Sequence, residues 1–341
     1  MNLLLAINTS AGTGHDLSLG SVMAQTLKKC LGEGHTVDLS WADGHEAIRE
    51  RSCEFVQQHT SDAVIIAGGG GGTLRAVIEG VGDSSKTGTL PGPGQLRIGA
   101  LRMGSGNVIA RQLGVARNPR EGVEELAAQL LAKITTNCCV IGCNTGNHPS
   151  LLLAATLGGF GLFGRVPKCL EEHHVNRPRF HRFSSRLLGI ERLTNVEYGL
   201  SLAGLCAKVA LQPDQLDFVE VSQGDHSEQF PLLAGALMNF PLGALPFQPE
   251  VTVEDAELSL HLVPYRSRLQ ALGLVLCRKR NAQAAKHYRI TRDTPVTLRV
   301  LNRDHMHFFL DEDPIEAREV TLRVAGQLAF VPGKNFNPKR N

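Results

Sequence analysis

Five consecutive glycines, Gly68 to Gly72, separate a short apolar segment, Val64 to Ala67, from a helix-like segment that starts at Thr73. Glycine has no Cβ, so the main chain of such a run can turn sharply and can approach a ligand closely. A strand that passes directly into a helix also directs several backbone N–H groups to one place, where the helix dipole adds partial positive charge. A tight turn needs only two or three glycines. The length of this run therefore favours a phosphate-binding cradle over a turn alone.

The length of the chain and the distribution of its apolar segments predict two domains. Single cores stop growing near about 250–300 residues, and the chain has 341. Strand-like and helix-like segments alternate up to Ile134, which indicates a parallel sheet with covered faces. Short strand-like segments dominate after that point, Lys208 to Leu211 among them, with helix-like regions at Val166 to Cys206 and Arg266 to Arg278. We predict an α/β domain over residues 1–134, a β-rich domain over residues 135–325, and a C-terminal strand and tail over residues 326–341 that could return to the first domain.

Composition narrows the class of protein. The chain is 42% hydrophobic and 20% charged, with a net charge of +2. This balance is typical of a soluble globular protein, and it gives no reason to expect a nucleic-acid partner. The longest apolar stretch, Leu151 to Phe163, is shorter than the roughly 20 residues that span a bilayer. Met1 to Ile7 is expected to be a first strand and not a leader. We expect a cytoplasmic location.

The eight cysteines do not suggest a metal site. None of them forms a CxxC pair. Cys138, Cys139 and Cys143 could be combined with His148 as zinc ligands, but the spacing is poor. Cys138 and Cys139 would also point to opposite faces of a strand. We expect the cysteines in apolar segments to behave as small buried hydrophobes.

Four polar or glycine-rich segments occur at the ends of predicted strands. They are Asn8 to Gly12, Gly69 to Thr73, Met103 to Asn107 and Asp311 to Asp313. Ligands of open α/β sheets bind outside the carboxyl ends of the strands, so the first three segments are expected to face one site. The dinucleotide fingerprint GxGxxG and the P-loop GxxxxGK[ST] are both absent.

In this order the four segments resemble the diacylglycerol kinase catalytic-domain family, which includes bacterial lipid kinases and sphingosine kinases and is related to NAD kinases. The family motifs are Asn-Pro-x-Ser-Gly, Gly-Gly-Asp-Gly-Thr, Pro-x-Gly-Thr-x-Asn-x-x-Ala-Arg and Asp-Gly-Glu-Pro. The corresponding segments of this chain are Asn8 to Gly12, Gly69 to Thr73, Arg102 to Arg111 and Asp311 to Pro314.

The resemblance implies a fold and an activity. The fold would be an α/β N-terminal domain with the parallel sheet of NAD and diacylglycerol kinases, followed by a mostly β C-terminal domain. Residues 1–134 would bind the nucleotide and residues 135–325 would carry the acceptor site. The activity would be transfer of the γ-phosphate of ATP, with Mg²⁺, to the hydroxyl of a diacylglycerol-like or sphingoid lipid, in phospholipid metabolism.

The resemblance also assigns candidate site residues. Asp313, or Asp311 beside it, would take the proton of the acceptor hydroxyl; a solvated hairpin turn is the alternative. Asn107 would face the ligand or cap a helix, and Asp255 would hold a structural Mg²⁺ or lie in a solvated turn. Arg75 or Arg102 would neutralise developing charge, and a surface salt bridge is the alternative for either arginine. The residues expected to bind ATP are Asn8, Ser10, Gly69, Gly70, Gly71, Gly72, Thr73, Gly104, Ser105 and Asn107.

Four positions depart from the family pattern. Gly71 replaces the loop aspartate, and Asp313 is one methylene shorter than the usual glutamate. Glu312 replaces a glycine, and Arg102 replaces a proline and adds a cation. The loss of the aspartate keeps a second hypothesis open, a catalytically impaired nucleotide- or lipid-binding protein of the same fold. An NAD kinase would depend on the same missing aspartate.

Two features bear on partners. A segment rich in arginine and histidine, Arg165 to Arg192, is interleaved with apolar residues. It is consistent with a peripheral surface for anionic phospholipid, and equally with an amphipathic helix that packs on the second domain. An exposed strand edge in the second domain could pair with a second copy and give a homodimer.

Overall fold

The computed structural model describes residues 1–10, 16–85, 90–92, 94–104, 107–146, 151–155, 157–176, 194–240, 251–252, 254–274, 283–311 and 313–337. Predicted features that lie outside the described residues include Ser105, Glu312, His148 and residues 177–192 of the basic segment.

The first part of the chain forms a parallel sheet in the order β4-β3-β1-β2. Helix α1 packs against α5, and α2 packs against α3. Strand β3 is buried along its whole length, as expected of an apolar strand in a covered parallel sheet. The elements are β1 Asn2–Asn8, α1 Leu17–Leu31, β2 Thr36–Ala42, α2 Gly44–Gln58, β3 Ala63–Gly69, α3 Gly71–Asp83, β4 Leu96–Arg102, α4 Val108–Gln112 and α5 Pro119–Leu131.

The second part is mostly antiparallel sheet. Its strands carry an apolar core of their own, and α6 and α7 pack against each other. The elements are β5 Thr136–Asn144, β6 Leu152–Ala154, β7 Leu157–Gly161, α6 Leu162–Asn176, α7 Thr194–Leu211, a 3₁₀ turn Pro213–Gln215, β8 Asp217–Gln223, β9 His226–Met238, β10 Leu258–Pro264, α8 Arg268–Leu272, β11 Lys286–Ile290, β12 Val296–Val300, β13 Met306–Leu310, β14 Asp313–Ala317 and β15 Glu319–Phe330. The predicted class, a parallel α/β part followed by a mostly β part, is confirmed.

Strand β15 connects the two parts. Its first residues pair antiparallel with β12, and most of its length pairs antiparallel with β5. At its end, Ala329 and Phe330 pair in parallel with Arg97 and Ile98 of β4. One continuous sheet therefore runs through both parts of the molecule.

The cysteines of β5 lie where strand alternation predicts. Cys138 faces the core of the first part and Cys139 faces that of the second. Burial raises the pKa of the Cys139 thiol to about 12, and the carboxylates of Asp255 and Glu257 contribute to this increase. A thiol in this environment stays protonated and is a poor metal ligand.

Several predicted elements were wrong in extent or type. Lys208 to Leu211, expected as a strand, is the last turn of α7, because Cys206, Val209 and Ala210 face the core at helical spacing. A helix was expected over Arg266 to Arg278, and in the described part of this segment only α8 is helical. Helix α3 begins two residues before Thr73, so Gly71 and Gly72 form its first turn. Strands β7, β11 and β14 were not predicted.

Candidate functional site

Asn8 connects the end of β1 to the first turn of α3. Its Nδ2 donates to Thr73 Oγ1 at 3.0 Å. Its Oδ1 accepts from the backbone N–H of Ser10 at 3.0 Å and of Gly44 at 3.3 Å. Strands β1 and β3 are parallel neighbours, so their carboxyl ends meet at one edge of the sheet. The structure thus brings Asn8, Ser10 and Thr73 together, as the sequence predicted.

The glycines at this edge are required by close backbone approach. A Cβ on Gly104 would overlap the main chain of Gly70, and a Cβ on Gly69 would overlap the Thr73 side chain. The first intrahelical bond of α3 runs from Leu74 N to Gly70 O at 3.2 Å, and no side chain caps the helix. The amides of its first turn are therefore not used by the helix itself. This is the arrangement that favours an anion at a helix N-terminus.

The second, third and fourth segments border one small cavity. Its volume is about 20 Å³, and its lining includes Gly69, Gly71, Asn107 and Asp311. This is room for about one water molecule. The three segments therefore converge, but a nucleotide does not fit in this cavity, and phosphate groups would have to contact the loops from outside it.

Asn107 occupies the N-cap position of α4, and its side chain stabilises its own loop. Its backbone is left-handed, with φ of 50°, and its side chain makes no capping bond. Instead Oδ1 accepts from Gly104 N at 2.9 Å, and Nδ2 donates to Gly104 O at 2.6 Å. The predicted N-cap is therefore confirmed in position, and the side chain makes no capping bond.

Asp311 is a buried structural carboxylate. Its residue is 1% exposed, and its backbone has φ of 48°. The Oδ2 atom accepts from Ala155 N at 2.6 Å, and Oδ1 accepts from Leu157 N at 3.1 Å. A solvated turn is thus wrong for this residue. Because both oxygens accept backbone N–H groups, the geometry favours Asp313 over Asp311 as a proton acceptor.

Asp313 lies against the first turn of α3. It is the first residue of β14, and its side chain is 40% exposed. Its Oδ2 lies 3.2 Å from Arg75 Nη1 and 3.6 Å from His45 Nδ1. Its Oδ1 lies 2.9 Å from the position that a Cβ on Gly72 would take. Burial raises the pKa of Asp313 above its ordinary value, although the charges of Arg75 and His45 act in the opposite direction.

Glu79 connects Arg75 to His45. Its Oε1 accepts from Arg75 Nε at 3.0 Å, and its Oε2 lies 2.7 Å from His45 Nε2. Burial alone would raise the pKa of Glu79, but bonding to His45 and the charge of Arg75 outweigh it and lower that pKa. These contacts join α2, α3 and β14 in a network of four residues, His45, Arg75, Glu79 and Asp313.

Two members of this network were missed by the sequence prediction, and a third was placed wrongly. Arg75 is only 7% exposed, so its interpretation as a surface salt bridge was wrong. A signal was available, since Arg75 and Glu79 are the only charged residues between Thr73 and Val81 and stand four residues apart, at the spacing of a helical ion pair. His45 has no comparable local signal.

The remaining candidates lie at the margins of the site or away from it. The hydroxyl of Ser10 donates to the carboxylate of Asp43. Asp255 closes a local turn, where its Oδ2 accepts from Thr252 N at 2.6 Å and from Thr252 Oγ1 at 3.1 Å. Its role as a magnesium ligand stays a prediction. No helix among the described residues combines the length and the apolar character that a membrane crossing requires.

Comparisons with known proteins agree with the motif order. Residues 2–139 match the family model described as the diacylglycerol kinase catalytic domain. This span contains the first three of the four segments. A search of curated proteins finds no match to the chain.

Solved structures resemble the whole chain. A diacylglycerol kinase of Bacillus anthracis shares 12% identity, with 98% of each chain covered and a TM-score of 0.60. Two proteins of the same organism, described as candidate diacylglycerol kinases, give TM-scores of 0.64 and 0.62 at 12% and 14% identity. They cover 98% and 99% of this chain, and 96% and 97% of their own chains. At such identity the likeness shows the fold alone. The predicted resemblance is confirmed: residues 2–139 match the family model of the diacylglycerol kinase catalytic domain, within a chain that has the fold of diacylglycerol kinase-like proteins.

Proposed function

We propose that the chain transfers the γ-phosphate of ATP to a hydroxyl group of a diacylglycerol-like or sphingoid lipid. The observation that carries this proposal is the position of Asp313. Its partly exposed carboxylate lies at the N-terminal turn of α3, beside the glycine segment, and Arg75 holds it there. Burial raises its pKa above that of an ordinary aspartate, which makes the carboxylate a better proton acceptor.

The residues at this edge fit the phosphates of a nucleotide. The first-turn amides of α3 and the hydroxyl of Thr73 would donate to phosphate oxygens. The glycines leave these groups accessible, because a Cβ on Gly69 or Gly104 would fill the space between the loops. Mg²⁺, when bound, would neutralise phosphate charge, with the carboxylate of Asp43 as an oxygen ligand at this edge. Asp313 would accept the proton of the acceptor hydroxyl.

Residues 1–134 would then bind the nucleotide, and the β-rich residues 135–325 would present the lipid. A cytoplasmic enzyme of this kind must reach its acceptor from the membrane surface. We therefore propose peripheral contact with phospholipid. The basic residues predicted for that role between 177 and 192 lie outside the described part of the chain.

A second function is supported by one specific contact. The position that a Cβ on Gly71 would occupy lies 2.8 Å from the carbonyl oxygen of Asp311. The loop thus leaves no room for a side chain at the position where the family has its aspartate. This favours the alternative of a nucleotide- or lipid-binding protein that has lost catalysis.

The test compares phosphoryl transfer from radiolabelled Mg-ATP to diacylglycerol and to sphingosine in mixed micelles. We expect the wild type to label one of these lipids, and Asp313→Asn to lose about 10²–10⁴-fold in rate. Glu316→Gln is the matched control. It removes another carboxylate of β14, one that pairs with Lys168 and not with Arg75, and we expect its rate to be unchanged. If the wild type binds Mg-ATP in calorimetry but labels neither lipid, the binding protein is the correct alternative.

A further inference from the structure

A polar cleft lies on the other side of α4 from the small cavity between the loops. Val108 to Ala110 of α4 border that cavity, whereas Arg111 and Gln112 border the cleft. The cleft has a volume of about 280 Å³, and its polar lining consists of Arg102, Arg111, Gln112, Asn335 and Asn337. We call it the arginine cleft. No carboxylate occurs among the lining residues that the structure describes.

The charges at the arginine cleft are not balanced. Burial lowers the pKa of Arg102, and the charges of Arg111 and Arg117 lower it further. The Nε atom of Arg102 is buried, and no hydrogen-bond partner for it occurs in the described part of the chain. Buried donors are normally satisfied by protein or solvent, and repulsion between neighbouring guanidinium groups is unfavourable. An anion in the cleft would accept a hydrogen bond from Arg102 Nε and would reduce the repulsion between the guanidinium groups.

An acid whose partner Ala116 adjoins the cleft residue Val115 is already used. Glu125 accepts from Ala116 N at 3.0 Å and pairs with Lys334 at 3.1 Å. Within the described ranges, none of Arg102, Arg111 and Arg117 forms an ion pair with a carboxylate. By contrast, Arg75, Arg97 and Arg165 each have an acidic partner. Among the described residues, no carboxylate therefore serves as a counter-ion for the arginine cleft.

We propose that the arginine cleft binds a phosphate group, as a second anion site separate from the glycine segment. Guanidinium groups present two parallel N–H donors that match the oxygens of phosphate. The side-chain amides of Gln112 and Asn335 add N–H donors at the rim. Arg102 stands where the resemblance places a proline, so the site is a property of this chain. The proposal does not depend on nucleotide binding or on catalysis.

The test is titration of the full chain with inorganic phosphate in a phosphate-free buffer of low ionic strength, followed by calorimetry. We expect the double variant Arg102→Met, Arg111→Met to lose at least about 10-fold in affinity, since two charge-assisted contacts are removed. Arg323→Met, which replaces an exposed arginine of β15, is the matched control and should bind as the wild type does. Asn8→Ala, at the glycine segment, should also retain phosphate binding.

The results distinguish the two anion sites. Wild-type affinity in the double variant, loss of binding in Asn8→Ala alone, or no binding by the wild type would overturn the proposal. Sedimentation with phosphatidylcholine vesicles, with and without phosphatidate, then identifies the source of the phosphate. Binding to phosphatidate vesicles that is lost in the double variant indicates a lipid headgroup. Equal sedimentation of both proteins, with the calorimetric loss intact, indicates a free phosphate compound.

Discussion

The carboxyl group of Asp313 lies between a helix N-terminus and two basic side chains, and these surroundings affect its protonation in opposite ways. Burial raises its pKa, and the negative charges of Asp311 and Glu79 add to that effect. Arg75 and His45 lower it. The net effect is a raised pKa. A reaction that needs the ionised carboxylate of Asp313 should therefore lose rate, as pH falls, at a higher pH than one that depends on an ordinary aspartate.

Replacement of His45 by Asn should move this acidic limb to higher pH. Protonated His45 favours the ionised form of Asp313, and its removal leaves the raising effects less opposed. The measurement is kcat/KM for lipid phosphorylation against pH. His226→Asn, at an exposed position of β9, is the control. An unchanged or lowered apparent pKa in His45→Asn would argue against Asp313 as the titrating group.

Gly71 should not tolerate the aspartate that the family carries. A Cβ at this position would lie 2.8 Å from the Asp311 carbonyl oxygen, so the hairpin must shift to admit any side chain. We expect Gly71→Ala and Gly71→Asp each to lower the free energy of unfolding by about 1–3 kcal/mol. Thermal unfolding and the lipid assay measure both effects.

The alanine variant separates the steric effect from the effect of charge. If Gly71→Asp is more active than Gly71→Ala at equal stability, the carboxylate itself contributes to catalysis and the chain is an impaired kinase. Activity that is low and equal in both variants indicates that packing against Asp311 governs this position.

At this scale the sequence predicted the residues that local motifs define. Asn8, Thr73 and the glycines were expected from their places at strand ends, and the structure brings them together. His45 could not be predicted, because it meets Glu79 and Asp313 only after residues far apart in the chain have folded together. The burial of Asp311 depends in the same way on amides of residues 155 and 157.

Helix α3 is largely apolar but carries a buried ion pair between Arg75 and Glu79. Glu79 is only 6% exposed at its side chain. Removal of one partner of a buried pair leaves the other charge without compensation, so we expect Glu79→Ala to destabilise the protein by about 3–5 kcal/mol. Asp83→Ala on the same helix removes only the more exposed pair with Arg49 and should cost less than about 1 kcal/mol. Denaturant unfolding of both variants measures the difference.

The effect of Glu79 should depend on pH. Its pKa is lower in the folded protein than in the unfolded chain, so the folded state binds fewer protons. Its contribution to stability is present above the unfolded value of about 4.3 and is lost as pH falls through the folded pKa. The difference in unfolding free energy between wild type and Glu79→Ala should therefore narrow in acid. A constant difference would mean that the effect comes from packing.

Elements with strong periodicity were predictable, and those fixed by their neighbours were not. The first part alternates apolar strands with helices, as the sequence pattern predicted, and the strands expected at Met1 to Ile7 and Val64 to Ala67 correspond to β1 and β3. Strand β14 begins at Asp313 and continues through Pro314, a residue that cannot donate to a ladder. It forms because β13 provides a partner on one side and because it is the edge of the sheet.

The connection through β15 makes the two parts of the molecule interdependent. Without this strand, β4 loses one of its two parallel neighbours, β5 loses its longer pairing, and β12 loses one of its two partners. We expect a chain that ends after Arg318 to lack a cooperative unfolding transition in circular dichroism. A chain that ends after Asn337 keeps every strand pairing described above and should unfold as the full sequence does. Cooperative unfolding of the shorter chain would show that the first part folds without β15.

Because the chain is synthesised from its N-terminus, β15 becomes available to pair with β4 only late in translation. More than two hundred residues follow β4 before Ala329 and Phe330 leave the ribosome. Until then the β4 side of the nascent sheet is open, and an open edge is a template for pairing with other chains. The glycine segment and its surroundings would therefore reach their native structure only after translation has passed β15. A chaperone that shields β4 during this interval would raise the yield of native protein.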